Sequence, residues 1–164
     1  MKANELNCKD LMIGDWVSYY KPDTELAIGR IKKLNVNKYL DGDDEIEVVD
    51  SKGCWMTIPN INELQPIPLS DEILERMGFH KETYDVDEWW TLNLKIKDDI
   101  FYNHASINVE QKSGRVFGVW DVDVKFFESG RDAISYTGSI DYVHTLQHIV
   151  RCCFIEHELV IKED

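Results

Sequence analysis

Between residues 13 and 69 the hydrophobic positions come in short bursts, "IGDWVSYY", "LAIGRIKKL", "EIEVVD", "CWMTIP" and "ELQPIPL", separated by stretches rich in Gly, Pro, Asn, Asp and Lys. Bursts of this length bounded by turn residues predict strands. Strands this short make a sheet too small to keep one face dry while lying flat. The pattern therefore predicts a curled, half-open barrel of the SH3-like type over residues 1–69.

The period then changes. In "PIPLSDEILERMGF" (66–79) two prolines stop strand structure and Ser70 can cap a short helix. Asp71 and Glu72 suit the positive end of its dipole, Ile73, Leu74 and Met77 form its buried stripe, and Gly78 can end it. From residue 89 strict alternation begins: in "WWTLNLKI" Trp90, Leu92, Leu94 and Ile96 share one face, and Trp89, Thr91, Asn93 and Lys95 the other. "IFYNHASINVE", "RVFGVWDVDVKFF" and "AISYTGSI" continue the alternation through turns expected at Lys97-Asp98-Asp99, at Lys112-Ser113-Gly114 and over 128–132. In the middle one of these, Val116, Trp120, Val122, Val124 and Phe126 oppose Asp121, Asp123 and Lys125. An antiparallel meander with one wet and one dry face follows, and the dry face needs a cover.

The stretch "DYVHTLQHIVRCCF" (141–154) can supply that cover. At about 100° per residue, Val143, Leu146, Val150, Cys153 and Phe154 fall on one stripe, Asp141 suits the N-cap, and His144, His148 and Arg151 fall on the solvent side or its margin. The chain is thus expected to be mostly β and of the α+β class. Residues 70–164 then form one layer: a linker helix, an antiparallel sheet and a C-terminal helix.

Composition narrows the function. The 164 residues are 43% hydrophobic and 30% charged, which suits a packed core and not a disordered chain. The net charge of −13 is uneven, −4 over residues 1–69 and −9 over 70–164. Binding a phosphate backbone requires clustered Lys and Arg, so no direct nucleic-acid binding is expected. No apolar run approaches the roughly 20 residues of a membrane helix, and "MKANELNCKDLMIGDW" lacks a signal-peptide centre, so a cytoplasmic protein with no membrane contact is expected. Cys8, Cys54, Cys152 and Cys153 form no CxxC pair, which points to free thiols and to neither a zinc ribbon nor a disulfide framework.

The remaining chemistry-bearing residues are few. His144, His148 and Cys152 stand four apart on the closing helix, a spacing that can share a metal, with Cys152 beside His148 also a candidate nucleophile pair. They are weak candidates. No glutamate stands between the histidines, side chains four apart along one helix diverge by about 40° each, and His104 or His157 would have to complete the set. "DGDDE" (41–45) lacks calcium-loop spacing and reads as a charged hairpin tip; Asp121 and Asp123 read as a solvated strand face. No catalytic residue, cofactor-binding residue or metal site is therefore assigned, and no cofactor is expected. Trp16, Tyr20 and Trp55, with Tyr19, suit an aromatic interaction surface for an extended peptide, in competition with a core-filling role.

Three stretches, "LMIGDWV" (11–17), "PIPLSDEILERMGF" (66–79) and "YVHTLQHI" (142–149), together resemble a large family of small uncharacterised proteins from gut Bacteroidetes and their phages or integrated mobile elements. Relatives open with Ile-Gly-Asn-Trp-Val, carry a Pro-Ile-Pro-Leu-Thr helix ending in Gly-Phe, and close with Tyr-Val-His-Gln-Leu-Gln. This chain departs from them at Asp15, in the added "NCKD" and in "IEHEL" (155–159). The resemblance implies a compact cytoplasmic protein of phage or mobile-element origin and no activity, cofactor or catalytic residue. The expected function is a non-enzymatic accessory protein acting through protein–protein contacts, with a partner the sequence does not name. The alternatives are an acidic inhibitor that mimics nucleic acid in the groove of a host enzyme and, last, a hydrolase using His144, His148 or Cys152.

Overall fold

A computed structural model describes residues 11–21, 26–35, 45–95, 104–111, 119–128, 131–153 and 158–162, without the side chains of 128 and 131–135. The turns expected over 22–23, 36–44, 97–99 and 112–114, together with Cys8, Val116, Phe154 and His157, lie outside them. The chain divides between Ile67 and Pro68 into two compact units. No helix among the described residues is long and apolar enough to cross a membrane.

The first unit is an antiparallel sheet of β1 (Trp16–Tyr20), β2 (Leu26–Asn35), β3 (Glu45–Asp50), β4 (Trp55–Ile58) and β5 (Leu64–Gln65), in the order β4-β3-β2-β1-β5. A single 3-10 turn, Ile61–Glu63, leads into β5. The five bursts of the sequence are these strands. Among the described residues the order leaves β4 and β5 as edges, and the sheet closure that a barrel would have is not seen there.

The opener "MIGD" is a tight turn. Asp15 donates its backbone N–H to the Met12 carbonyl at 3.1 Å, its buried carboxylate accepts from the Met12 N–H at 2.7 Å, and Gly14 takes the left-handed φ of 94° that this turn needs. The chain then enters β1 with Val17 and Tyr19 facing a core shared with Leu11, Ile31, Ile46, Val48, Ile58, Ile61 and Leu64. Gly29 sits at the centre of this face. A Cβ there would lie 2.9 Å from the Tyr19 ring and collide with Val48, so only glycine lets the ring lie across β2.

The second unit is a meander, β6 (His80–Tyr84), β7 (Asp87–Lys95), β8 (His104–Glu110), β9 (Trp120–Glu128) and β10 (Arg131–Ile140), paired in the order β10-β9-β8-β7-β6. The alternation from Trp89 to Ile140 marks the last four strands. β6 carries no apolar alternation and becomes a strand only by pairing with β7 through a two-residue turn, in which Asp85 takes a φ of 58°. One face of this sheet is dry: Trp90, Val109 and Val122 stand in one cross-strand row, and Ile107 and Val124 in the next, all buried.

Helix α1 (Asp71–Arg76) has the ends its sequence predicts. Ser70 Oγ accepts from the Ile73 N–H at 3.3 Å; at the other end the Gly78 N–H reaches the Glu75 carbonyl and the Phe79 N–H the Leu74 carbonyl, with Gly78 at φ 92°. Two buried indoles tie this segment to the sheet: Trp90 Nε1 donates to Asp71 Oδ1 at 3.0 Å and Trp120 Nε1 to the Leu69 carbonyl at 3.3 Å. Helix α2 (Val143–Cys152) is capped by Tyr142 and not by Asp141. Tyr142 pairs as an extended residue with Pro68, and the Asp141 carbonyl accepts from the Leu69 N–H, so the helix starts one residue later than its cap chemistry suggests.

Residues 158–162 add a further piece of cover. Leu159 and Ile161 are buried, the Leu159 carbonyl accepts from Gln147 Nε2 of α2, and Lys162 exchanges two hydrogen bonds with Arg76 of α1.

Gly29→Ala should overpack the first core and lower stability by about 1–3 kcal/mol in urea unfolding. Burial, then the charges of Asp50 and Cys54, hold the Tyr19 phenol above its ordinary value. The unfolded chain, whose tyrosines ionise near about pH 10, loses that proton first. Stability should therefore fall as pH climbs past that point towards the folded-state value, and Tyr19→Phe should lack this share of the alkaline loss when unfolding is followed against pH.

Candidate functional site

Cross-strand register decides which side chains share a face, and it draws an apolar stripe on the outer side of the first sheet. Tyr20 pairs with Leu26, Leu26 and Ile28 alternate along β2, and Val49 pairs with both Arg30 and Trp55. The stripe thus runs diagonally from Tyr20 and Leu26 through Ile28 and Val49 to Trp55. Its ends are open: Tyr20, Leu26 and Trp55 are 55%, 54% and 63% exposed, while Ile28 and Val49 are half-buried. Trp16, expected to join Tyr20 and Trp55 in an interaction surface, lies in the same row as Arg30, Val49 and Trp55 but is only 4% exposed. Its indole is a packing element, the alternative weighed for a tryptophan in so small a sheet. Leu26 takes its place on the stripe; β-branched and aliphatic residues at alternate positions of "LAIGR" were the signal for it.

The closing helix shows what the histidine spacing does. His144, expected on the solvent side or its margin, is buried; Gln147 is buried beside it in the helical phase, and His148 is half-buried. Helical phase gave one covered stripe, whereas Gln147 Nε2, off that stripe, donates to the Leu159 carbonyl. Tyr142 stacks on His144 with ring centroids 5.7 Å apart, and His148 meets His144 edge-on at 5.9 Å. Cys152 is exposed, one turn beyond. Of the three weak metal candidates, His144 and His148 are thus joined with Tyr142 in a run of ring contacts, and Cys152 is a surface thiol. Among the described residues no group of three or more His, Cys, Asp or Glu is gathered as a metal site.

The second assembly of chemistry is on the wet face of the second sheet, where three rows cross the strands. The first is Glu82, Trp89, Glu110, Asp121 and Ser139; the second His80, Thr91, Asn108, Asp123 and Thr137; the third includes Asn93, Ser106 and Lys125. Residues of all three rows line a depression of about 380 Å³. Its floor is polar yet covered, with Thr91 4% and Ser106 5% exposed. Both hydroxyls donate to one acceptor, Asn108 Oδ1, at 3.0 and 3.1 Å. Ser139 Oγ donates to Asp121 Oδ1 at 2.7 Å. Asp121 and Asp123, read from sequence as a solvated face, differ in setting: Asp121 is 9% exposed, Asp123 half-buried. Strand alternation places each residue on this face, but the register across five strands that gathers them is not written in any one segment.

Compared with protein-family models, with curated proteins and with solved structures, the chain has no significant match in any of the three.

Trp16→Ala should cost about 3–5 kcal/mol in chemical denaturation, the range of a buried aromatic truncation, whereas Trp55→Ala should stay within about 0.5 kcal/mol of the unchanged protein.

Proposed function

We propose that the protein is a non-enzymatic accessory protein, related to those of phages or mobile elements, that acts by binding an extended segment of a partner protein on the outer face of its first sheet. The observation that supports this reading is the stripe from Tyr20 and Leu26 to Trp55, which leaves three large apolar side chains more than half exposed on one sheet face. Exposed apolar surface of this kind costs solubility and marks interaction surfaces. Trp55 opens β4, an edge strand of the sheet, so an arriving extended segment can pair with the β4 backbone while alternate apolar side chains lie against Trp55 and Val49.

An SH3-like reading of the unit adds to this. Five short antiparallel strands entered through the Gly-Asp-Trp-Val step suit such a module, and SH3-like modules bind extended peptides on aromatic surfaces. The resemblance carried by "LMIGDWV", "PIPLSDEILERMGF" and "YVHTLQHI" supports the phage or mobile-element origin.

Selection of a random peptide library on the full chain tests the proposal. Selected peptides should lose at least about tenfold in affinity on a Leu26→Ala, Trp55→Ala double variant, the scale of one lost aromatic anchor. They should also protect β4 amides from hydrogen exchange. Peptides indifferent to both changes, or no selected peptide at all, would overturn it.

A further inference from the structure

We propose that the depression on the wet face of the second sheet is a binding site for a neutral saccharide. A merely solvated strand face keeps its polar side chains in water. Here Thr91 and Ser106 are more than nine-tenths covered on the side of the sheet away from its apolar core, and both are committed to Asn108. The two hydrogen bonds hold Thr91, Ser106 and Asn108 in fixed positions, the rigidity that a binding site needs in its polar partners. The volume of about 380 Å³ lies within the roughly 300–1,000 Å³ of small-molecule sites.

The lining selects the ligand class. Because Asn108 Oδ1 holds two hydroxyl protons, its Nδ2 end faces away from them as a donor, and Asp123 stands directly opposite on β9 as an acceptor. Asn93 adds a second amide and Lys125 a further donor, all on the same face. A sugar hydroxyl donates and accepts at once and uses such neighbouring amides and carboxylates together. Trp89, half-buried at the side of the depression, offers an apolar ring surface for the C–H face of a pyranose. A simple organic cation would use the carboxylates and leave the amide donors without purpose. Anionic sugars are disfavoured, since Glu82, Glu110, Asp121 and Asp123 face a single Lys125 around the rim and floor.

The test is calorimetric titration of the full chain with maltotriose, cellotriose and chitotriose, beside trigalacturonate and spermidine, with NMR of the asparagine side-chain amides. At least one neutral trisaccharide should bind and shift the Asn93 and Asn108 amide signals. Its affinity should fall at least about tenfold, equivalent to 1.4 kcal/mol, in Trp89→Ala and in Asp123→Asn, the second being a conservative change that keeps the fold testable. Trigalacturonate should bind at least about tenfold more weakly. The proposal is overturned if no neutral trisaccharide binds with Kd better than about 10 mM, if binding survives both substitutions, or if spermidine or trigalacturonate is the tighter ligand.

Discussion

A buried indole must still find an acceptor for its N–H, and in the second unit that requirement fixes where the covering layer begins. Trp90 on β7 and Trp120 on β9 stand on the dry face of the sheet, and their N–H groups reach Asp71 and the Leu69 carbonyl. Leaving either unmade would cost about 1–3 kcal/mol, so the segment bearing Leu69 and Asp71 cannot drift along the sheet. Everything nearby inherits that placement. Ser70 caps α1 between the two contacts, Pro68 pairs with Tyr142 and so sets the start of α2, and Arg76 at the far end of α1 receives Lys162. Through these bonds α1, α2 and residues 158–162 are joined to one another as well as to the sheet.

The two sheets solve opposite problems. The first buries one face in a single cluster and leaves a diagonal of apolar side chains on the other, with Trp16 drawn into burial and Trp55 left out on the same row. The second keeps its wet face polar and yet covers Thr91 and Ser106 there. The first arrangement suits broad contact with another chain, the second a small, donor- and acceptor-bearing ligand. Neither depends on the histidines of α2, whose rings serve packing along one side of the helix.

Much of the fold was legible because it rests on local period. Alternation marked β7 to β10, turn residues marked the five strands of the first unit, and Ser70 with Gly78 bounded α1 correctly. What escaped depends on distant chain. β6 has no apolar rhythm and exists through its partner. Asp141 lost the cap to Tyr142 because of a bridge to Pro68, and His144 is buried in ring contact with Tyr142 and His148 on a side of the helix that its apolar stripe does not mark. The polar depression was the least legible feature, since its residues come from four strands and only the register brings Trp89, Asn108 and Asp123 together.

The hydrogen bonds between Lys162 and Arg76 also impose an order on biosynthesis. Among the described residues the first unit has its core cluster, from Leu11 to Leu64, once residue 67 has been made, whereas the second lacks the segment that bonds to Arg76 until residue 162. At about 5–20 residues per second, the first unit therefore has roughly 5–20 seconds in which to fold while the dry face of the second is still incomplete. In that interval Trp90, Trp120 and the apolar rows beside them are the surfaces a nascent-chain chaperone would meet.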